Sequence, residues 1–211
     1  MLPPTLQRLP GNPLWQRRAD AADRKQIEAD FVYIMRFGGG ADLAGEKDQT
    51  RNHMIIRPPD YEDVETLIEL GSQLHRESAY SFLPYEPARV RVMITEYLKD
   101  RTSRCGLMAE SGGAAIGMIG GVLIEYYFCA EKLVADEVLF VRPDRRGGLA
   151  AARLIEALEE WAIGQGAREL CLSVSTGVNR SATGRLYEGL GFVPVGGVFK
   201  KRLDAAGATP G

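Results

Sequence analysis

The sequence predicts a mixed α/β domain, a single sheet with helices on both faces. Three observations carry that expectation. Apolar residues recur at helical spacing in two long stretches, Val64, Leu67, Ile68, Gly71, Leu74 and then Leu154, Ile155, Leu158, Trp161, Ala162. Between and after them lie strand-length runs rich in β-branched and aromatic residues. Two helical stretches precede a run of strands, and a strand-helix-strand unit follows, which is the pattern of a mixed sheet.

Met54 to Arg57 suits a short first strand. Asp60 is placed to cap the next helix, with Asp63 three residues on completing a variant of the capping box. The pattern breaks from His75 to Pro87, and a second helix runs from about Ala88 to Leu98 with Val90, Met93, Ile94 and Tyr97 inward. A strand follows around Gly106 to Glu110. Ser111-Gly112-Gly113 signals a hairpin turn, and its partner strand runs from Ala114 to Phe128. Another strand covers Asp136 to Val141. The long helix comes next and ends near Gly164 or Gly166, residues suited to a C-cap. Glu169 to Ser175 alternates as a strand, a short helix spans Ser181 to Gly189, and Phe192–Val195 with Val198–Arg202 reads as a terminal hairpin around Gly196-Gly197. The expected order is β-α-α-β-β-β-α-β-α-β-β. Residues 1–53 read as a mostly mobile extension, punctuated by Pro3, Pro4, Pro10, Pro13 and Gly38-Gly39-Gly40. A real arm that docks on the domain or on a partner is the alternative. Residues 204–211 read as a flexible tail.

Composition narrows the function. The 211 residues suffice for one domain with a proper core, and a net charge of −2 gives no reason to expect nucleic-acid binding. Cys105, Cys129 and Cys171 are far apart and form no C-x-x-C pair, which leaves neither a zinc knuckle nor a disulfide framework and suits reduced thiols in a cytoplasm. With His53 and His75 as the two histidines, a Ser-His-Asp triad or a multi-histidine metal site lacks material, and no metal is expected. No apolar run approaches the ~18 residues of a membrane span.

The most informative stretch is Val138 to Ala150. An apolar strand runs into a turn holding Arg142, Arg145, Arg146, Gly147 and Gly148, and a helix follows at once. Glycines let a ligand approach the backbone. The first helical N–H groups are unpaired and carry the positive end of the helix dipole, so a phosphate or pyrophosphate fits there. Neither a P-loop nor the Gly-x-Gly-x-x-Gly fingerprint is present.

Arg145-Arg146-Gly147-Gly148-Leu149-Ala150 resembles the acetyl-CoA loop of the general N-acetyltransferase (GNAT) superfamily. Leu149 stands where that pattern has glycine, so the loop reads one residue short. Leu186-Tyr187-Glu188-Gly189-Leu190-Gly191-Phe192 resembles the same family's Leu-Tyr-x-x-x-Gly-Phe sequence. The element order is also the one expected of that fold, and the resemblance spans residues 54–203. Met54 would begin such a domain naturally, so a start at Met54 stands beside the extension as a reading.

The resemblance implies an acetyl-CoA-dependent N-acetyltransferase, with direct attack of a primary amine in a ternary complex. It implies pyrophosphate contacts on Arg145, Arg146, Gly147, Gly148, Leu149 and Ala150. It implies pantetheine bonds to the main chain of Leu139, Phe140 and Val141, and a CoA-arm contact at Asn179, whose other reading is a helix cap. Tyr187 matches the family's general acid for the leaving thiolate. Glu137 occupies the place of a base in some members, with Glu125 as rival. The loop from His75 to Glu86 matches the acceptor-lining loop. Its His-x-Glu-Ser form, together with Val174-Ser175-Thr176-Gly177, resembles acetyltransferases of phage and prophage genomes. The acceptor is expected to be a small-molecule or peptide amine, without nucleic-acid or membrane partners. Terminal strands in this family frequently pair in dimers, so a homodimer is also an expectation. A non-catalytic acyl-CoA-binding or regulatory protein on the same fold is the alternative.

Overall fold

The computed structural model describes residues 54–203. The readings of residues 1–53 and 204–211 lie outside the described residues. One five-stranded sheet in the order β1-β2-β3-β4-β5 forms the centre. Its strands are β1 (Met54–Arg57), β2 (Arg104–Ser111), β3 (Ala114–Glu125), β4 (Lys132–Val141) and β5 (Glu169–Cys171). The first four pair antiparallel and β5 joins β4 in parallel. The helices are α1 (Val64–Glu77), α2 (Pro87–Lys99), α3 (Ala150–Gly164) and α4 (Arg180–Gly189). The mixed α/β class stands. Among the described residues no helix is long and apolar enough to cross a membrane.

The local signals are realised closely at the start of the domain. The Asp60 carboxylate accepts from the Glu62 N–H and the Asp63 carboxylate accepts from the Asp60 N–H, both at 2.8 Å, the reciprocal capping box. Asp63 also takes two hydrogen bonds from Arg57, at 2.6 and 2.8 Å, and Arg57 donates a third to Glu110 at 2.6 Å. One guanidinium thus ties β1, the helix start and β2 together. The Arg57 contact holds the Asp63 carboxyl below the usual carboxylate range. Gly112 and Gly113 both adopt positive φ, 60° and 75°, as a two-residue hairpin turn demands.

Helices α1 and α2 cover one face of the sheet. Leu67, Ile68, Leu70, Ile94 and Leu98 pack there with Met108, Met118 and Phe140. Helix α3 covers the other face with Leu154, Ile155 and Leu158, all at 1% exposure or less. Glycines in β3 set how closely α3 can approach. A Cβ on Gly117 would fall 2.7 Å from the Phe140 carbonyl and 3.4 Å from Leu154, and one on Gly121 would meet Leu158 at 3.1 Å.

Three expectations are corrected. Helix α1 continues through His75 to Glu77 instead of breaking at His75. Strand β5 ends at Cys171, not at Ser175, because Leu172 onward leaves β4 and finds no ladder. The terminal hairpin does not form: residues 192–203 contain no strand. Pro194 lacks a donor N–H and Gly196-Gly197 gains nothing from an extended ladder. Side chains hold that segment instead, with Lys200 donating to the Ser175 carbonyl at 2.6 Å and Arg202 stacked 3.8 Å from the Phe82 ring centre.

Gly117→Ala is expected to destabilise the domain by about 1–3 kcal/mol, because the new methyl meets backbone that cannot step aside. Thermal unfolding checks it; an unchanged Tm would show that β3 and β4 are not seated as closely as described.

Candidate active site

A parting of strands makes the site. Strands β4 and β5 share three rungs, Leu133↔Glu169, Val134↔Leu170 and Ala135↔Cys171. Beyond them the chains diverge, and the last link is a side chain: the Asp136 carboxylate accepts from the Ser173 N–H at 2.8 Å. The cleft that opens has a volume of about 440 Å³. Its walls are the C-terminal half of β4, the turn from Arg145 to Gly148, residues 173–176 and α4.

The β4 wall offers main-chain groups. The Arg142 N–H reaches the Ile116 carbonyl at 2.9 Å, one residue beyond the Gly117↔Val141 pair. Antiparallel alternation then aims the main-chain groups of Phe140 at β3 and those of Leu139 and Val141 into the cleft. Phe140 therefore differs from its two neighbours: its ring is 2% exposed, in the core under α1. The Val141 carbonyl is already engaged, accepting from Arg146 Nε at 2.9 Å.

The turn presents the end of α3. Gly147 takes φ 82°, which reverses the chain. Ala150, Ala151 and Ala152 open the helix with small side chains and no acidic residue in the first turn. Of the arginines, Arg142 makes two bonds to Asp144, at 3.1 and 3.2 Å, and Arg145 lies 3.4 Å from the same carboxylate. Arg146 binds the Glu77 carboxylate through both terminal nitrogens, one at 2.9 Å, so it ties the turn to the end of α1. Arg145 and Arg185 face the cleft without so strong a tether. Leu149 points to solvent at 66% exposure and Ala150 is buried at 4%, so neither side chain lines the cleft.

Tyr187 and the neighbouring β4 carboxylates stand at the apex. Tyr187 is 7% exposed, and its hydroxyl donates to the Ser173 carbonyl at 3.3 Å, a long bond. Burial pushes the phenol well above its ordinary range, and the Asp136 charge adds to this. Burial also raises the Asp136 carboxyl, against the pull of its bonds from Ser173. Asn179 carries no side-chain cap; it takes φ 44° before α4, the one non-glycine residue with positive φ among the described residues. Asparagine tolerates that conformation, and the residue lines the cleft.

Glu137 sits at a β-bulge. Gly120 pairs with Val138 and Gly121 with Asp136, so Glu137 is the extra residue of β4. A regular strand would have sent Asp136 and Glu137 to opposite faces. Here both line the cleft, and Glu137 also lines a second cavity of about 240 Å³ under α1 and α2. Its carboxylate accepts from the Tyr97 hydroxyl at 2.6 Å, with Arg104 3.9 Å away. Glu125, the rival, lies exposed at the far end of β3 opposite Lys132 and lines neither cavity. The sequence reading missed Asp136, Ser173, Thr183 and Arg185. Only Asp136 carried a signal, its adjacency to Glu137.

A family model described as Acetyltransferase (GNAT) family matches residues 70–192. No curated protein matches the chain. Among solved structures, the aminoglycoside N-acetyltransferase AAC(6')-Iy in complex with CoA is similar at 22% identity and TM-score 0.60, over 77% of this chain and 100% of that one. A transcriptional regulator from Bacillus halodurans C-125 is similar at 22% identity and TM-score 0.60, over 72% of this chain and 100% of that one. A ribosomal-protein-alanine N-acetyltransferase from Brucella melitensis biovar Abortus 2308 reaches 17% identity and TM-score 0.55, over 72% and 99%. Three differently named proteins share the fold, so the fold does not choose an acceptor.

The raised Asp136 carboxyl sets a pH dependence. A carboxyl held above its ordinary value favours the folded chain at low pH, and that advantage is lost as pH rises through the raised value. Asp136→Asn should therefore raise Tm near neutral pH, with the gap closing as pH falls to about 4. Calorimetry across that range checks it; a gap that widens on acidification contradicts the assignment.

Proposed function

The chain belongs to the acetyltransferase (GNAT) family, and from that membership we propose that it transfers the acetyl group of acetyl-CoA to a small-molecule primary amine by direct attack in a ternary complex. The observation that carries this reading is the meeting of two cavities at Glu137 and Val138. One cavity has an anion turn and a protonated phenol; the other has room for an acceptor.

The cleft fits acetyl-CoA chemically. Its pyrophosphate matches the unpaired N–H groups at the start of α3, with Arg145 and Arg185 adding charge. Its pantetheine amides match the outward main chain of Leu139 and the Val141 N–H. The smallness of Ala151 leaves the helix end approachable. Arg146 acts as a brace rather than a phosphate ligand, because Glu77 already occupies it.

In the transfer, the amine lone pair forms the C–N bond and the C–S bond breaks. The leaving thiolate takes the Tyr187 proton, which the raised phenol holds at neutral pH. As the C–N bond forms the attacking nitrogen becomes cationic and its extra proton passes to Glu137; exchange with solvent then returns a proton to Tyr187 and takes one from Glu137. Asp136 positions: it fixes Ser173, whose carbonyl holds the Tyr187 hydroxyl. Direct attack rests on orientation. Two of the three thiols favour it over an acyl-cysteine route, since burial pushes Cys105 up to about 12 and also raises Cys171.

Thiol release from acetyl-CoA across a panel of primary amines tests the reading; CoA binding with no release from any amine would overturn it. Tyr187→Phe should lower kcat about 10²-fold with the KM for acetyl-CoA nearly unchanged. Ala151→Glu places a carboxylate at the α3 N-terminus and should abolish the rise in Tm that acetyl-CoA gives to the parent chain.

A further inference from the structure

The second cavity names the acceptor class. Its floor is a cross-strand glycine pair, Gly106 and Gly120, which are register partners. Their missing side chains seat the Tyr97 ring: a Cβ on Gly120 would lie 3.3 Å from the Tyr97 hydroxyl, and one on Gly106 would lie 3.4 Å from the ring. The walls are Leu67, Met93, Ile94 and Met118.

The polar groups in this cavity are few and mostly committed. The Tyr85 hydroxyl donates to the Ile68 carbonyl at 2.7 Å, and the Tyr97 hydroxyl donates to Glu137 at 2.6 Å. What remains for a ligand is one carboxylate, at the end where the cavity meets the acetyl-CoA cleft, and the acceptor side of the two phenols. We propose that the acceptor is a primary amine on a single apolar body, such as an alkyl or arylalkyl amine. Its nitrogen lies at Glu137 and its body lies among Leu67, Met93, Ile94 and Met118, beside the Tyr97 ring that covers the glycine pair. The proposal rests on the acetyl-transfer reading for the cleft.

The chemistry excludes the alternatives. A polyamine or an aminoglycoside brings several cations and hydroxyls, and this cavity supplies one anion and no row of acceptors. Burying unpaired polar groups is unfavourable. The volume of about 240 Å³ exceeds the roughly 150 Å³ cavity that holds a benzene ring, so one ring and a short chain fit. Tyr97 acts as a positioning residue, holding the Glu137 carboxylate at the junction.

The test uses the full chain with acetyl-CoA and a homologous series of ethylamine, butylamine, hexylamine and 2-phenylethylamine, against spermidine and kanamycin. The expected kcat/KM rises about fourfold for each methylene buried, until the cavity is full. Met93→Asp, at a site 42% exposed on α2 and so tolerant of charge, should flatten the series and leave the Tm shift by CoA unchanged. A flat series in the parent chain, or a preference for spermidine or kanamycin, overturns the proposal. If CoA binds and no amine is acetylated, the transfer reading fails by itself. The cavity is then judged from Tm of the CoA-bound chain: a shift that grows with alkyl length and is lost in Met93→Asp supports it, and no such shift overturns it.

Discussion

Strands β4 and β5 stay together for three rungs, and the place where they part governs the site. A parallel pair buried between helices would normally run on, since each unpaired N–H and carbonyl is costly. Three features shape the parting. The bulge at Glu137 adds local twist to β4. Asp136 takes the Ser173 N–H with its side chain, where a ladder would have used a carbonyl. The Thr176 carbonyl accepts from the Ala79 N–H at 2.7 Å, which holds the departing segment against the connection between α1 and α2. The main-chain groups of Leu139 and the Val141 N–H then face the cleft instead of a neighbouring strand, while Arg146 holds the Val141 carbonyl. A fully zipped β4–β5 pair would satisfy them and close the cleft.

The electrostatics follow the same economy. The arginine turn carries less free charge than its sequence suggests, because Asp144 faces Arg142 and Arg145 while Glu77 holds Arg146. Such half-exposed pairs contribute little stability individually. Their effect here is geometric: they fix the turn so that the backbone N–H groups of α3 point one way. At the other end of the cleft, burial keeps Tyr187 protonated and the Asp136 charge adds to it, with Ser173 bridging the two.

Most of the architecture was legible because its signals are local. Capping at Asp60 and Asp63, the Gly112-Gly113 turn and the apolar stripe of α3 each depend on residues a few positions apart. The errors fall where pairing is decided at a distance. Leu172 to Ser175 alternates like a strand, yet it has no partner once Asp136 has claimed Ser173. Val195 and Phe199 look like strand residues and are 96% and 97% exposed, because no ladder reaches them. In the site, Tyr187, Asn179, Leu139, Val141 and Arg145 do converge on one cleft, while the Arg146 guanidinium is spent on Glu77. Asp136 was missed because regular strand alternation sends it away from Glu137, and a bulge is invisible to alternation. Arg185 and Thr183 reach the cleft from α4 by helical geometry that no spacing rule isolates.

The apparent gap in the phosphate turn is resolved by backbone angles. A glycine is required only where φ is positive or where a Cβ would collide. In this turn the positive φ is at Gly147 alone, at 82°. Leu149 has φ −84° and ψ −6°, ordinary helical values that any residue adopts, and its side chain leaves toward solvent. A Cβ on Gly148 would meet nothing closer than the Arg145 carbonyl at 3.9 Å. The turn therefore needs one glycine for its shape, and small residues where a ligand would approach, which Gly148 and Ala151 supply. Leucine at position 149 sends its side chain to solvent, and the demand for smallness moves two residues on, to Ala151 in the first turn of α3.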